Sequence, residues 1–348
     1  MSPSQLRPPT MADVARRAGV SHQTVSRVLG DHPNVREETR ARVLHVIEEM
    51  GYRRNSSARA LATRRTRTLG VIASDTTLYG PASTLFALEE AARAEGYFVS
   101  TVSLRELTMA TLSEALDHLS DGGVEGVVAI APQRSAVEAL AEFRSPFPVV
   151  VVGSGQGIDI PSVGVDQRLG GRLATRHLLA AGHRRVWHLA GPEEWLEAAD
   201  RAAGWRATLE AADIEPPLLL RGDWSPLSGY RAGQELVDWV GRGLTAVFVA
   251  NDQMALGVLR ALREAGVRIP QDVAVVGFDD IPESEYFPPP LTTVRQDFSA
   301  VGKQGIVLLL EIIEDRPPGT PSPVAIEPQL VARASTFPHA ARSEGAPL

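Results

Sequence analysis

Residues 10–27 constrain the fold more than any other segment, because two short helical runs there flank a single glycine. Small apolar side chains on both runs would let the two helices pack closely: Val14, Ala15, Ala18, Val20, Val25 and Val28. Gly19 permits the positive φ that ends a first helix. Ser21 can cap a second helix by accepting a hydrogen bond from a backbone N–H two or three residues further on. The spacing predicts a helix-turn-helix.

The second helix of such a motif presents its first turns to the major groove of DNA. His22 and Gln23 are long enough to reach base edges there. Ser21, Thr24 and Arg27 suit contacts with phosphates or bases. Two helices and a glycine would equally describe an ordinary solvated hairpin, so the flanking sequence decides between the two interpretations.

Charge is distributed unevenly along the chain. Residues 1–67 hold 13 arginines against 6 carboxylates, which gives about +7, whereas the whole chain carries −7. Residues 68–348 therefore carry about −14. Because only the basic segment attracts a polyanion, we expect nucleic acid to bind at this end and not on the acidic body.

Two further helical segments follow the motif. Residues 37–50 predict a third helix with one apolar face. Residues 55–62 could form one or two helical turns, which is too short to be stable without a partner chain and DNA to brace it. Leu61 would then be an apolar wedge for the minor groove, where such side chains kink the duplex. Composition alone favours a disordered linker here instead.

Length and composition exclude several classes of protein. A chain of 348 residues is too long for one ordinary domain, and 44% hydrophobic residues can fill substantial cores. The absence of cysteine excludes disulfides, thiolate metal sites and thiol nucleophiles. No apolar run reaches the roughly 18 residues of a membrane span, and the first residues lack the apolar core of a signal peptide. We therefore expect a soluble, cytoplasmic protein with frayed ends at residues 1–9 and 338–348.

The body alternates predicted strands with predicted helices. Continuous apolar strands separated by amphipathic helices are typical of parallel, doubly wound α/β sheets. Two such series, over residues 69–152 and 169–278, predict two lobes.

Polar side chains follow several of these strands at their carboxyl ends, where parallel sheets bind ligands. They are Ser74 and Asp75, Asn251 and Asp252, and Asp279 and Asp280. Arg201, near the start of a helix, and Trp224, in a loop, complete a set that suits a sugar. Polar groups can bind its hydroxyls while an indole stacks on the apolar C–H face of the ring. Each residue taken alone could equally be a helix cap or a surface group.

Motifs along nearly the whole chain resemble those of the LacI/GalR family of bacterial repressors. In the first 70 residues they are Asp13-Val14-Ala15, Ala18-Gly19-Val20-Ser21, Thr24-Val25-Ser26-Arg27, Gly51-Tyr52, Asn55 and Ala60-Leu61-Ala62. In the body they include Ala190-Gly191-Pro192, Ala203-Gly204-Trp205, Gly222-Asp223-Trp224-Ser225, Ala250-Asn251-Asp252-Gln253-Met254-Ala255-Leu256-Gly257, Pro290-Leu291-Thr292-Thr293 and Gln296-Asp297-Phe298. Agreement over so many separated segments is not expected by chance.

The resemblance implies an all-α helix-turn-helix headpiece followed by a two-lobed, doubly wound α/β core like that of periplasmic binding proteins. The implied boundaries are residues 1–54 for the headpiece, 55–67 for a hinge helix and linker, 68–165 and 298–322 for the N-terminal lobe, 166–297 and 323–337 for the C-terminal lobe, and 338–348 for a tail. It also implies a homodimer on double-stranded, pseudo-palindromic operator DNA. The implied dimer surfaces are Pro81–Glu95 and Met254–Ala265. No leucine heptad follows Phe337, so a dimer is expected and not a tetramer.

The resemblance also assigns residues to two sites. DNA contacts fall on Thr10, Ser21, His22, Gln23, Thr24, Ser26, Arg27, Asn34, Tyr52, Asn55, Ala58 and Leu61. Effector contacts fall on Ser74, Arg201, Trp224, Asn251, Asp279 and Gln296, with Phe298 near the same wall. Two first-lobe positions depart from the pattern, with Gly153 where an aspartate is expected and Ile130 where an asparagine is expected. The first lobe is therefore expected to accept a larger or less polar substituent.

These inferences predict a repressor of carbohydrate-utilisation genes that is released by a sugar inducer, such as a galactoside, bound between the lobes. No cofactor, metal or catalytic residue is expected. Inducer binding would reorient the lobes, separate the two hinge segments of a dimer and lower operator affinity. Three alternatives stay open: a regulator that needs a purine-like corepressor, a sugar-binding transport protein, and a sugar-acting enzyme.

Three weaker motifs favour structural roles. The glycine-rich run from Gly153 to Gly157 does not open a helix, so it predicts a connector and not a phosphate-binding loop. His177, His183 and His188 lack the spacing of metal ligands. The adjacent Asp279 and Asp280 need not face the same atom, which argues against a general acid/base pair.

Overall fold

The computed structural model describes residues 9–52, 65–105, 107–154, 159–316 and 323–336. The chain divides into two compact units, Met1–Thr66 and Arg67–Leu348. The predicted hinge helix over residues 55–62, with its assigned DNA contacts Asn55, Ala58 and Leu61, lies outside the described residues and stays a prediction. The predicted tail at residues 338–348 also lies outside them.

The described residues of the first unit, 9–52 and 65–66, contain three helices, and the predicted helix-turn-helix is confirmed. They are α1 (Met11–Ala18), α2 (His22–Leu29) and α3 (Glu37–Glu49). Gly19 ends α1 with a φ of 65°, and the Ser21 hydroxyl accepts a hydrogen bond from the Thr24 N–H at the start of α2. Each helix contributes a fully buried valine to one core: Val14, Val25 and Val43. Burying such a side chain contributes about 1.5–3 kcal/mol, so the core depends on all three helices.

The second unit begins with a lobe built on a six-stranded parallel sheet in the order β11-β5-β4-β3-β1-β2. Its strands are β1 (Thr68–Ser74), β2 (Phe98–Leu104), β3 (Val127–Ile130), β4 (Val149–Val152), β5 (Ser162–Val165) and β11 (Val324–Ile326). Its helices are α4 (Tyr79–Ala94), α5 (Met109–Asp121), α6 (Arg134–Glu142) and α11 (Phe298–Ile313). Successive strand residues face opposite sides: Val71 joins the apolar cluster under α4 and α11, and Ile72 joins the cluster under α5 and α6.

The second lobe is built on a four-stranded parallel sheet in the order β7-β6-β8-β9. Its strands are β6 (Trp187–Ala190), β7 (Leu219–Arg221), β8 (Ala246–Val249) and β9 (Ala274–Val276). Its helices are α7 (Gln167–Ala180), α8 (Leu196–Glu210), α9 (Pro226–Val237) and α10 (Asp252–Glu264). Two buried clusters, one on each face of the sheet, hold the helices in place. The predicted doubly wound α/β class is confirmed.

The chain passes between the lobes near residues 166 and 297 and again close to residue 327. A short antiparallel pair, β10 (Thr293–Arg295) with β12 (Gln329–Val331), follows a 3-10 helix at Pro282–Tyr286. The last crossing differs from the predicted boundary between residues 322 and 323. The strand β11 pairs with β5 in the first lobe, whereas Leu330 of β12 packs on a second-lobe cluster. Strands of three residues are too short to show a period in the sequence, which explains the shift.

Candidate functional site

A cleft lies where the carboxyl ends of the second-lobe strands approach the start of α4 in the first lobe. Five of the seven predicted effector residues line it together: Arg201, Trp224, Asn251, Asp279 and Gln296. The first lobe contributes residues 78–81, which are Leu-Tyr-Gly-Pro. The arrangement follows the rule that open parallel sheets bind ligands beyond the carboxyl ends of their strands.

Arg201 is the central cation of the cleft. It lies in the second turn of α8 and is 3% exposed. Its Nη1 donates to the Ala250 carbonyl at 2.6 Å, and its guanidinium carbon lies 3.8 Å from the centroid of the Phe278 ring. Two carboxylate oxygens lie 3.8 Å from its terminal nitrogens, one from Asp279 at Nη1 and one from Glu197 at Nη2. These contacts fix the plane of the guanidinium and leave Nη2 able to donate to a ligand hydroxyl.

A chain of side-chain hydrogen bonds fixes the amide groups beside Arg201. Arg201 Nε donates to Gln167 Oε1 at 2.8 Å. Gln167 Nε2 donates to Gln296 Oε1 at 2.8 Å, and Gln296 Nε2 donates to Asp279 Oδ1 at 2.7 Å. Gly171 lets α7 and α8 approach closely enough for these hydrogen bonds to form. A Cβ at this position would lie 2.2 Å from the Arg201 carbonyl oxygen and would push the two helices apart. The polar floor of the cleft is therefore preorganised.

Burial changes the protonation of the cleft carboxyls. It raises the pKa of Asp279 to about 7, although Arg201 and the bond from Gln296 oppose the shift. Burial also raises the pKa of Glu197, against the opposing effect of Arg201. Near neutral pH the Asp279 carboxyl is divided between its two forms, so it can accept a hydrogen bond from a hydroxyl or donate one to it.

Asn251 both lines the cleft and caps a helix. Its Oδ1 caps α10 by accepting a hydrogen bond from the Met254 N–H at 3.0 Å, while its Nδ2 donates to the Trp224 carbonyl at 3.1 Å. The neighbouring Asp252 does not line the cleft. It accepts bonds from the Ile281 N–H and the Thr293 hydroxyl, and its burial, with the nearby Asp279 charge, raises its pKa well above the usual range. Asp252 thus holds the loop that carries Asp279.

Trp224 provides an aromatic surface beside these polar groups. It lies in the loop before α9 with a φ of 74° and is 6% exposed. Gly191 makes room for the indole, because a Cβ there would come within 2.2 Å of the ring. The indole Nε1 is buried and has no hydrogen-bond partner among the described residues. A buried unsatisfied donor at a cleft suits a polar ligand group.

Two predicted effector residues lie apart from the cleft lining. Ser74 ends β1, is fully buried, and its hydroxyl has no hydrogen-bond partner among the described residues. Phe298 begins α11, and its ring contacts Tyr79 edge to face at 5.9 Å between centroids. Phe298 therefore packs on Tyr79, which lines the cleft.

Sequence reasoning missed six further lining side chains: Leu78, Tyr79, Pro81, Trp195, Glu197 and Gln253. Trp195 precedes α8 and meets Trp224 edge to face, with 5.3 Å between ring centroids and 71° between the planes. The available signal was a tryptophan six residues and a glutamate four residues before Arg201, where the chain leaves a strand and enters a helix.

The two departures in the first lobe have a structural setting. Ile130 ends β3 and belongs to the apolar cluster of the first lobe. Gly153 follows β4 with a φ of 152°, and a Cβ there would lie 2.9 Å from the Ala131 carbonyl oxygen. Neither residue lines the cleft around Arg201. Residues 155–157 of the glycine-rich run lie outside the described part of the chain.

The headpiece presents one face of α2 to solvent. The predicted DNA-contacting residues Ser21, His22, Gln23, Ser26 and Arg27 are exposed, as is Asn34, and Thr24 is half-buried. Thr10 caps α1 in a reciprocal pair with Asp13. Tyr52 is 8% exposed and packs in the headpiece core. Its assignment as a DNA contact stays a prediction.

The histidines have separate structural partners. His177 Nε2 bonds with the Thr336 hydroxyl, His183 Nδ1 with the Thr245 hydroxyl, and His188 Nδ1 with the Phe248 carbonyl. Burial lowers the pKa of His188 to about 3, so it is neutral.

The two adjacent aspartates also point to different partners. Asp280 pairs with Arg295 at 2.6 Å and with Arg333 at 2.7 Å. Asp279 faces the cleft.

Within the described part of the chain, no helix combines the length and apolarity of a membrane span.

A helix-turn-helix headpiece joined in one chain to a two-lobed ligand-binding body defines a ligand-responsive DNA-binding regulator. The model of the lacI family of bacterial regulatory proteins matches residues 10–55, and a periplasmic binding protein-like domain matches residues 175–336. The chain belongs to the lacI family. The expectation of a regulator and not an enzyme is confirmed.

Relatives of known role agree with this assignment. The chain is 34% identical over 313 residues to the lactose operon repressor of Escherichia coli strain K12, covering 88% of this chain and 85% of that protein. It is 32% identical to the transcriptional repressor PurR of Haemophilus influenzae, covering 94% and 98%. A crystal structure of the lac repressor dimer bound to operator and the anti-inducer ONPF matches with a TM-score of 0.83 and 33% identity, covering 95% and 100%.

Proposed function

We propose that this protein is a cytoplasmic, dimeric repressor of carbohydrate-utilisation genes, that it binds a palindromic operator, and that a sugar bound in the cleft releases it. The clustering of Arg201, Asn251 and Asp279 around the Trp224 ring carries the proposal. Hydrogen-bond donors and acceptors lie beside an aromatic surface there, as recognition of a polyol ring requires. The name of the lactose operon repressor supports a sugar.

We assign the DNA contacts to the exposed face of α2. His22 and Gln23, at the start of that helix, would read base edges, while Arg27 and the cap region would hold phosphates. The positive charge of residues 1–67 supports DNA binding by this end of the chain.

A purine-like corepressor is the second candidate for the effector. The PurR repressor among the relatives supports it, because an indole can also stack on a planar base. The two candidates predict opposite signs of response: a sugar inducer weakens operator binding, and a corepressor strengthens it.

Thermal denaturation of the purified protein against mono- and disaccharides and purine bases tests the effector class, because a ligand that binds only the native state raises the melting temperature. The operator is then selected from random duplexes, and its affinity is measured with and without the ligand that was found. We expect a sugar to raise the melting temperature and to weaken operator binding. Stabilisation by a purine alone, with tighter operator binding, would support the second candidate instead.

A further inference from the structure

The carboxyl of Glu197 lines the cleft and accepts no hydrogen bond from any described residue. Glu197 lies in the first turn of α8. Its Oε2 is 3.8 Å from Nη2 of Arg201, which is too long for a hydrogen bond. The Glu197 side chain is 26% exposed, whereas that of Asp279 is 7% exposed. Of these two carboxyls, Glu197 is therefore the one with free oxygens that a ligand can reach.

The cleft and the wall behind it hold more carboxyls than cations. Among the described residues, Arg201 is the one guanidinium in contact with Glu197 and Asp279, at 3.8 Å from each. Asp252 is fully buried behind them and accepts hydrogen bonds from uncharged groups only. One positive charge thus faces at least two carboxyls. Since a buried charge without a partner is costly, the excess carboxyl must take up a proton or receive a cation.

The protonation of the two carboxyls agrees with this imbalance. Burial raises the pKa of Glu197 and the pKa of Asp279, although Arg201 opposes both shifts. The guanidinium therefore does not offset the loss of water around both groups. A second cation beside Glu197 would favour the ionised form, because an opposite charge within about 4–6 Å lowers the pKa of a carboxyl.

The position of Glu197 on its helix does not by itself explain a carboxyl in the cleft. A glutamate in the first turn stabilises a helix through the helix dipole, and so does an arginine four residues later. Both effects operate equally on the outer face of a helix, where the carboxylate keeps its water. In the cleft, a bound ligand displaces that water. A hydroxyl would return one hydrogen bond, whereas an ammonium group returns a hydrogen bond and the missing charge.

We propose that Glu197 is a specificity-determining residue, and that it selects a sugar carrying a protonated amine over the same sugar with a hydroxyl in that position. This inference rests on the proposed function, since it takes the cleft to be a sugar site. The ammonium group donates to the Glu197 carboxylate. The hydroxyls of the same ring bind the guanidinium and amide groups of Arg201, Asn251 and Gln296.

The test compares sugars that differ only at one substituent. Isothermal titration calorimetry at pH 6.5, where a sugar amine is protonated, would use glucosamine and galactosamine beside glucose and galactose. The N-acetyl derivatives of both amino sugars keep the nitrogen but carry no charge, so they separate charge from the presence of a substituent.

Three variants accompany the wild-type protein. Glu197→Gln keeps the shape of the side chain and removes its charge, and Glu197→Asp keeps the charge on a shorter side chain. Glu194→Gln is the matched control, because Glu194 is exposed three residues earlier and does not line the cleft.

We expect wild-type protein to bind at least one amino sugar about 10-fold or more tightly than both its hydroxyl and its N-acetyl counterpart. Glu197→Gln should reduce this preference to about 3-fold or less. Glu197→Asp should retain part of it, and Glu194→Gln should retain all of it. If Glu197→Gln does not melt cooperatively, Glu197→Asp replaces it in the comparison and should lower the preference about 3-fold or more.

Two results would overturn the inference while the sugar site stands. One is that wild-type protein binds uncharged sugars with no preference for the amine. The other is that the preference stays unchanged in the Glu197 variants, which would assign the recognition of the amine to another group. Absence of binding by every sugar, charged or uncharged, would overturn the proposed function itself.

Discussion

At the scale of single residues, Arg201 contacts four groups in and around the cleft. It donates hydrogen bonds to Gln167 and to the Ala250 carbonyl, and it lies 3.8 Å from carboxylate oxygens of Asp279 and Glu197. A hydrogen bond to a charged group contributes about 1.5–3 kcal/mol. We therefore expect Arg201→Ala to weaken effector binding about 10- to 100-fold, so that the effector response needs correspondingly more ligand, while operator affinity stays intact.

Operator titrations with and without effector would measure this loss. Arg295→Ala is the matched control, because Arg295 pairs with Asp280 in the same lobe but does not line the cleft. An effector response that Arg201→Ala leaves unchanged would place the site elsewhere.

The buried carboxyl of Asp279 makes the free energy of unfolding depend on pH. Its pKa in the folded protein is about 7, against an ordinary value of 3.8. A carboxyl whose pKa is raised by folding stabilises the fold below its unfolded pKa and loses that contribution as the pH rises through 7. The amide of Asp279→Asn stays neutral. We therefore expect the variant to gain about 2 kcal/mol relative to wild type between pH 5 and pH 8.

A change of this size corresponds to several degrees in melting temperature. The melting temperature of Asp279→Asn, relative to that of wild type, should therefore be several degrees higher at pH 8 than at pH 5. Thermal denaturation of both proteins at the two pH values measures it. A difference that does not change with pH would mean that Asp279 is ionised throughout this range.

Much of the cleft could be predicted from the sequence, because its polar residues come after predicted strands. Arg201, Asn251 and Asp279 could be predicted because each follows a second-lobe strand, and such ends meet at one edge of a parallel sheet. Tyr79 and Trp195 could not, because they reach the cleft only through the approach of the two lobes. Ser74 is the last residue of β1 and is fully buried, so it does not line the cleft.

At the scale of secondary-structure elements, two backbone hydrogen bonds between the lobes, which we call the clasp, link lobe closure to the start of α8. The Arg134 N–H donates to the Glu194 carbonyl, and the Leu196 N–H donates to the Pro132 carbonyl. Leu196 is the first residue of that helix, a position where proline is well tolerated, and Trp195 before it has the extended backbone that a following proline requires. Leu196→Pro therefore removes the N–H that crosses to Pro132 without breaking the helix. Losing this hydrogen bond should make lobe closure less favourable by about 1 kcal/mol, which should weaken effector binding about 3- to 10-fold.

Calorimetry with the effector measures this change. Met109→Pro makes the same substitution at the first position of α5, where Thr108 also has an extended backbone, away from the cleft. Leu196→Ala keeps the N–H and separates the effect of side-chain packing. Wild-type affinity in Leu196→Pro would show that the clasp does not contribute to closure.

The hinge over residues 55–62 is a second element with a specific expectation. It lies outside the described residues, so the prediction rests on sequence alone. A leucine that wedges between base steps contributes only on DNA that can be kinked at the operator. We expect Leu61→Ala to weaken operator binding by 10-fold or more and non-specific binding by much less. Equal losses on operator and random duplex, measured by fluorescence anisotropy at one salt concentration, would exclude the wedge.

At the scale of the whole molecule, DNA binding and effector binding reside in different units of one chain, so their coupling obeys thermodynamic linkage. If the effector changes operator affinity by some factor, operator must change effector affinity by the same factor. Couplings of about 1–3 kcal/mol are typical, which corresponds to about 5- to 150-fold. We expect saturating operator to weaken sugar binding within this range, and by the factor measured in the reverse titration.

Calorimetric titration of effector into free protein and into the operator complex checks both the size and the sign. A duplex of unrelated sequence, at a salt concentration where it does not bind, is the control. Tighter effector binding on operator would identify a corepressor and overturn the inducer assignment. Identical effector affinity in both states would mean that the cleft and the headpiece are not coupled, and regulation by this ligand would then be excluded however tightly it binds.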